Sequence, residues 1–396
     1  MTEDHGQNTR RRAAETVLTH GGRRPGQHFG FVNTPVFRGS TVLFGTLDEL
    51  ESTEPRFDYG RTGNPSSSAV EAVITELEGA AGTVLAPSGL SAISLALLAV
   101  LGHGDHLLVT DSAYGPTRRF SNGVLARMGV KAEYYDPRIG GGIETLVTER
   151  TKAIFVESPG SLTFEIQDLR AIVEVARRSG AFVIVDNSWA TPLYHKPLEL
   201  GADIVVHAGT KMFLGHSDAM FGTVSAGERA WPAVHQAHVM MGLCAAPDDC
   251  FLAARGLRTL AIRMREQSAR ALDLAQWLEG QPGVAAVLHP ALASHPDHHL
   301  FRRDFTGSGS VFSLLLQPGP RSAVAKMVDD LELFGMGWSW GGYESLLLPV
   351  TPGKVRTATS WEPEGNMFRI HVGLEDIGEL RTDLAAALER YRAALG

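Results

Sequence analysis

The chain has 396 residues, 44% hydrophobic and 20% charged, with 36 basic against 44 acidic residues for a net charge of −8. That composition fits an ordinary globular protein of about two or three domains, and the acidic balance disfavours nucleic acid or an anionic membrane as partner. Two cysteines, Cys244 and Cys250, form neither a disulfide framework nor a zinc-ligand spacing, and no apolar run approaches the ~18 residues of a membrane span, so a metal-free cytoplasmic protein is expected.

Residues 1–60 carry Gly, Pro and Arg without a sustained period. Arg10, Arg11 and Arg12 are followed by the polar AAETVLTHGG, not by the apolar run of an export signal. An extended arm packed on a partner is predicted. SSSAVEAVITELEGA (66–80) reads as a helix with a Ser start and a Gly stop. Strands are then expected at TVLAPSG, DHLLVTD, KAEYYD, TKAIFVES, AFVIVDNS, ADIVVHAG and AMFGTVSAG, with helices at LSAISLALLAVLG and DLRAIVEVARRSG. The apolar runs AFVIVDNS and ADIVVHAG mark central strands covered on both faces. Strands alternating with helices predict an α/β domain with a mostly parallel sheet over 61–255. A long helix at 258–280, strands VAAVLHP, GSVFSLLLQ and MFRIHVG, and helices near 321–330 and 376–395 predict a smaller α+β domain over 256–396. HPALASHPDHHL, with His289, His295, His298 and His299, lacks a metal-binding pattern and reads as a solvated loop.

Two residues carry the chemistry. Asp186 ends the strand AFVIVD, and ligands of open α/β sheets lie beyond the carboxyl ends of strands. It could cap a helix or pair with a cationic ring nitrogen of a cofactor. Lys211 follows the strand ADIVVHA and is one of only six lysines among the 36 basic residues. Arginine replaces lysine for mere charge almost everywhere else here, so this position needs an amine. A surface lysine is the plain alternative. An acid for a pyridinium nitrogen and a lysine for a Schiff base are what pyridoxal phosphate asks of a protein. APSGLSA (86–92) offers Ser88, Gly89 and Leu90 at a helix start suited to a phosphate. Thr210 could add a hydroxyl, and Tyr59 and Arg61 in YGRTGNP are phosphate donors. Dinucleotide and P-loop fingerprints are absent from the sequence.

With these residues in place, HAGTKMFLGHSDAMFGT, FVESPGSLTFE, VDNSWATPL, SWGGYESL and RIHVGLEDIGEL resemble, in order, the transsulfuration enzymes of Cys/Met metabolism. The resemblance runs from about residue 15 onward. It implies the aspartate-aminotransferase-like fold (fold type I) and pyridoxal 5'-phosphate as cofactor. It also implies an amino-acid thioether substrate and a homotetramer in which Tyr59 and Arg61 reach a neighbouring subunit's phosphate. Lys211 would be the Schiff-base lysine and the base for the Cα proton. Asp186 would hold the ring nitrogen protonated, and Tyr114 would stack on the ring and serve catalysis. Arg369, with Ser339, would take the substrate carboxylate, and Trp340 would wall the pocket. Ser161 stands where γ-acting relatives carry Asn, and SWGGYES is similar to the β-lyases. The branch implied is therefore a carbon–sulfur β-lyase for cystathionine or a related thioether, with a γ-acting relative or a specialised C–S lyase as the alternative. Asp58, Ala208, Met212 and Trp338 depart from the family's usual residues and bear on the substrate.

Overall fold

The computed structural model describes residues 12–52, 57–362 and 364–395. The expectations for Arg10 and Arg11 lie outside them. Seven strands form the larger sheet: β1 (Gly82–Ala86), β2 (His106–Thr110), β3 (Lys131–Tyr135), β4 (Thr151–Glu157), β5 (Phe182–Asp186), β6 (Ile204–His207) and β7 (Gly222–Ala226). Their order is β1-β7-β6-β5-β4-β2-β3. β7 runs antiparallel to both its neighbours, and the remaining pairs are parallel. Four antiparallel strands form a second sheet: β8 (Val284–Leu288), β9 (Val311–Leu316), β10 (Leu346–Val350) and β11 (Asn366–His371), ordered β10-β11-β9-β8.

The helices in chain order begin with α1 (Ala14–His20), α2 (Leu47–Glu51), α3 (Pro65–Glu78), α4 (Gly89–Val100), α5 (Gly115–Phe120), α6 (Leu169–Ser179) and α7 (Thr191–Tyr194). They continue with α8 (Trp231–Met241), α9 (Pro247–Arg258), α10 (Leu260–Glu279), α11 (His298–Asp304), α12 (Arg321–Val328) and α13 (Ile377–Ala393). The α3 cap is Asn64, whose side chain accepts from Ser66 and Ser67 N–H, with Gly79 closing the helix in the left-handed conformation. The start is thus an Asn–Pro pair rather than the expected serine. α6 starts on Asp168 and stops on Gly180 as its sequence implied.

β1, β2, β5 and β6 pack α4 in one core, where Ile93, Leu97, Leu107, Val109, Ile184 and Val206 are buried. The opposite face packs α6 through Ile172, Val173 and Ala176. Covering on both faces is why these strands are near-continuous apolar runs. The second sheet packs α10, α12 and α13 through Leu274, Leu314, Met327, Phe368 and Leu384.

Two expectations change. α1 is part of this chain's own core, because Val17 and Leu18 pack against Val70, Val73 and Leu257. The long helix expected at 258–280 is present as α10, with the separate helix α9 ending at Arg258 just before it. The histidine-rich stretch is solvated only in part: His299 is exposed, but His289 and His295 are buried, and His289 lies against Trp189 and Phe312. Burial pushes both imidazoles down, His289 to about 3 and His295 to about 4, so they are neutral core residues. Among the described residues, no helix is long and apolar enough to cross a membrane, and no group of three or more His, Cys, Asp or Glu could hold a metal ion.

Candidate active site

Three parallel strands set the site. Register places Glu157, the last residue of β4, opposite Asp186, the last of β5, and Asp186 opposite Val206 of β6. The chain leaving β6 turns tightly, with Lys211 N–H on the Ala208 carbonyl at 2.9 Å and Gly215 N–H on the Lys211 carbonyl at 2.8 Å. The acid and the lysine of the sequence reading therefore meet at one sheet edge.

The Lys211 ammonium donates to Ser339 Oγ at 2.6 Å and lies 5.4 Å from the Trp340 ring centre. Burial, then the Arg369 charge, lowers the amine to about 8, against the pull of Asp186. Gly341 is what lets the 339–341 segment lie on the lysine. Its φ is +89°, and a Cβ there would fall 2.9 Å from the Lys211 carbonyl carbon.

Asp186 accepts from the Ser188 hydroxyl at 2.6 Å and the Ser188 N–H at 3.0 Å, both on Oδ1. Burial pushes its carboxyl up despite these bonds and despite His207 and Lys211. Ser188 Oγ in turn accepts from Ala208 N–H at 2.7 Å, tying the Asp186 turn to the lysine turn. Glu157 accepts from Tyr114 N–H at 2.7 Å, and burial, then Asp186, pushes it well above the usual carboxylate range. The sequence reading missed Glu157, although the rule that found Asp186, an acid closing a buried strand, also applies to it.

Tyr114 precedes α5 and is half-exposed. Burial, then Glu157, raises its hydroxyl. Arg369, on β11, donates to the Gly337 carbonyl at 3.1 Å and the Ser339 carbonyl at 2.6 Å. Its Nε is buried without a partner, and burial lowers it to about 10. Ser339, at φ 150°, thus links lysine and arginine: its hydroxyl accepts from one and its carbonyl from the other.

Ser88 caps α4 by accepting from Ser91 N–H at 3.1 Å. The first-turn N–H groups of Gly89 and Leu90 have no partner inside the helix. Gly89 abuts the lysine turn so closely that a Cβ would lie 2.6 Å from Ala208 Cβ. Thr210 spends its hydroxyl on the turn, accepting from Phe221 N–H at 2.8 Å and donating to the Phe221 carbonyl at 3.1 Å. Tyr59 and Arg61 are not joined to this cluster. Tyr59 is 46% exposed, and Arg61 donates to the Val239 carbonyl of α8 at 2.9 Å.

The donor set fits pyridoxal phosphate. A lysine amine near neutrality, a buried carboxyl with one oxygen uncommitted, and an anion-ready helix start abutting the lysine turn converge at one edge. Fold and site together define a pyridoxal-phosphate enzyme of fold type I. The chain belongs to the Cys/Met metabolism PLP-dependent enzyme family, whose model matches residues 15–389. It is 47% identical over 373 residues to a putative cystathionine beta-lyase of Rhizobium johnstonii, covering 93% of this chain and 94% of that one. It is 38% identical to the cystathionine beta-lyase of Salmonella typhimurium, over 95% of this chain and 98% of the relative. A crystal structure of cystathionine gamma synthase from Xanthomonas oryzae pv. oryzae superposes with a TM-score of 0.90 at 33% identity, covering 97% of this chain and 100% of that one.

Proposed function

We propose that the chain is a carbon–sulfur β-lyase that converts L-cystathionine, or a related cysteine thioether, and water into a thiol, pyruvate and ammonia. The observation carrying this is the Lys211–Ser339–Arg369 linkage beside Asp186. It sets a titratable amine next to a cation with an uncommitted buried nitrogen, as an α-amino acid requires. The identity to named beta-lyases supports the branch. The solved gamma synthase keeps a γ-acting enzyme as the second reading.

Pyridoxal phosphate, when bound, supplies an electron sink for the bond breaking at the substrate Cα. Lys211 and Asp186 would hold it, with Ser88, Gly89 and Leu90 at its phosphate and Tyr114 against its ring. Arg369 holds the substrate carboxylate through its uncommitted Nε. Lys211, neutral in part at pH 7 because of its burial, takes the Cα proton and returns a proton to the departing sulfur. Ser339 accepts from the amine and keeps it aimed while the proton moves. Trp340 shields it from water.

The arm supports assembly with a second copy. Phe29, Phe31, Leu43 and Leu47 lie exposed at 100%, 72%, 89% and 64%. Tyr59 and Arg61 would then complete a neighbour's phosphate site, in a homotetramer of chains divided into an arm (1–60), a cofactor domain (61–255) and a C-terminal domain (256–396).

The test is the product from L-cystathionine with the purified, cofactor-loaded protein. Pyruvate with homocysteine is expected. 2-Oxobutanoate with cysteine would refute the β-lyase reading and move the chain to the γ-acting branch.

A further inference from the structure

The segment 351–361 leaves β10 and crosses to the carboxyl edge of the larger sheet, where two carboxylates hold it. Asp111, directly after β2 and 1% exposed, accepts three successive backbone N–H groups: Thr357 at 2.9 Å, Ala358 at 3.0 Å and Thr359 at 2.8 Å. The hydroxyls of Thr357 and Thr359 add bonds at 3.3 and 2.8 Å. Arg118 closes the far side, donating to Asp111 at 2.8 Å and to the Thr357 hydroxyl at 2.8 Å while lying 3.7 Å from the Tyr134 ring centre. One residue before this nest, Arg356 pairs with Glu165 at 2.7 Å and donates to the Thr163 hydroxyl. Both ion-pair side chains are almost fully buried, at 3% and 1% exposure.

A buried ion pair is weak evidence of stabilisation, because desolvation offsets the attraction. What such a pair fixes is geometry, and the two anchors bracket the rim of the site. Ser112, next to Asp111, accepts from Ser161 N–H at 2.8 Å. Gly160 is wedged between the anchors: a Cβ there would lie 2.5 Å from Ser112 Oγ and 2.8 Å from Glu165 Oε2. The turn continues through Leu162 and Phe164 at φ 68° and 59°, a costly backbone that persists only where surroundings enforce it. Leu162 packs on Leu348, Val350 and Met367 at the base of the strap. Its carbonyl accepts from Ser313, which faces Arg369 across the β9–β11 pair.

We propose that Asp111 and Glu165 are positioning residues that, through the 356–359 strap, set the wall of the site against which the leaving group of the substrate lies. The proposal rests on the thioether-lyase reading above. The reacting end has its own anchors: Ser339 for Lys211 and Arg369, Ser188 for Asp186, and Glu157 for Tyr114. A loosened strap therefore alters discrimination by the leaving group while proton transfer at Cα persists.

The experiment measures kcat and KM of the holoenzyme and of Asp111→Asn on L-cystathionine and on β-chloro-L-alanine, whose leaving group is a single atom. Trp361 emission, taken as the difference from Trp361→Phe because the chain has six tryptophans, reports the strap, since Arg356 lies 5.4 Å from that ring. The expected result is a fall of about tenfold in the kcat/KM ratio of the large over the small substrate, mostly in KM, the scale of one altered pocket contact, with a shift in emission. Glu165→Gln is measured alongside and serves alone if Asp111→Asn does not fold. An unchanged ratio overturns the proposal, and so do equal losses on both substrates, which assign the strap a structural role only. If the wild type does not cleave L-cystathionine, that substrate is excluded and S-benzyl-L-cysteine replaces it as the bulky partner, so that the same ratio decides the strap; cleavage of neither thioether overturns the functional reading.

Discussion

Lys211→Met removes the amine and keeps an unbranched side chain of similar reach. In the folded protein, burial lowers this amine to about 8, against about 10.4 for a free lysine. At pH 7 about 9% is then neutral, about 230-fold more than a free lysine would supply. The same shift works against folding. Between pH 8 and 10.4 the unfolded chain binds the proton and the folded chain has lost it, so this group's contribution to stability rises with pH across that window. Below pH 8 the penalty levels off at about 3 kcal/mol. Losing the bond to Ser339 returns about 1 kcal/mol of it. Cofactor-free Lys211→Met is therefore expected to melt above cofactor-free wild type at pH 7, by the equivalent of about 2 kcal/mol, with the gap closing toward pH 10. Thermal midpoints at one fixed protein concentration measure this. Turnover by the loaded variant falls by several orders of magnitude. A variant that melts at or below wild type at pH 7, or a gap that does not close with pH, would refute the claim that a desolvated amine is held here.

Arg369→Lys keeps the charge and loses the planar fork. Losing one charge-assisted bond of about 1.5–3 kcal/mol raises KM for the amino acid by about 10–100-fold, read from initial rates, and an unchanged KM would remove Arg369 from the substrate. The Asp111 nest gives a pH signature. Burial alone would raise that carboxyl, but the bonds from Thr357, Thr359 and Arg118 outweigh it and hold it below its ordinary value. Its stabilising contribution is present above the unfolded value of about 3.9 and is lost as pH falls through the lower folded one. Trp361 emission, taken as the difference from Trp361→Phe because the chain has six tryptophans, is thus expected to stay constant from pH 8 to 5 and to change only under acid, and in Asp111→Asn that acid transition is altered, with the Glu165–Arg356 pair left to titrate. A wild-type transition near neutrality would contradict the nest.

The parts of the site that lie along one stretch of chain were legible in the sequence. Strands covered on both faces leave continuous apolar runs, so β5 and β6 announced themselves, and with them the positions of Asp186 and Lys211 at their ends. The parts made by contact between distant stretches were not. Asp111 and Thr357 are 246 residues apart, Glu165 and Arg356 are 191 apart, and no periodicity couples them. The antiparallel direction of β7 is invisible for the same reason: its composition matches that of a parallel strand, and only its pairing with β1 and β6 orients it. The histidines at 289 and 295 misled because the polar spacing suggested a solvated loop, whereas both are buried and Trp189 and Phe312 supply an apolar wall for His289.

The ionisable groups of the site have one arrangement in common. Lys211 bonds a hydroxyl, Arg369 two carbonyls, Asp186 a serine, and Glu157 a backbone N–H. None of these bonds pairs an acid with a base, although two of each are gathered at one edge. Burial acts on all four in the same sense, toward the neutral form: both carboxyls upward, the amine to about 8 and the guanidinium to about 10. A fold selected for stability alone would have let these charges neutralise one another or replaced them with apolar groups. Neutral partners instead orient each group and leave its charge uncompensated, so the stabilisation is completed only when a ligand supplies the opposite sign. A carboxylate at Arg369 and a cationic ring nitrogen at Asp186 are the two charges that this arrangement lacks.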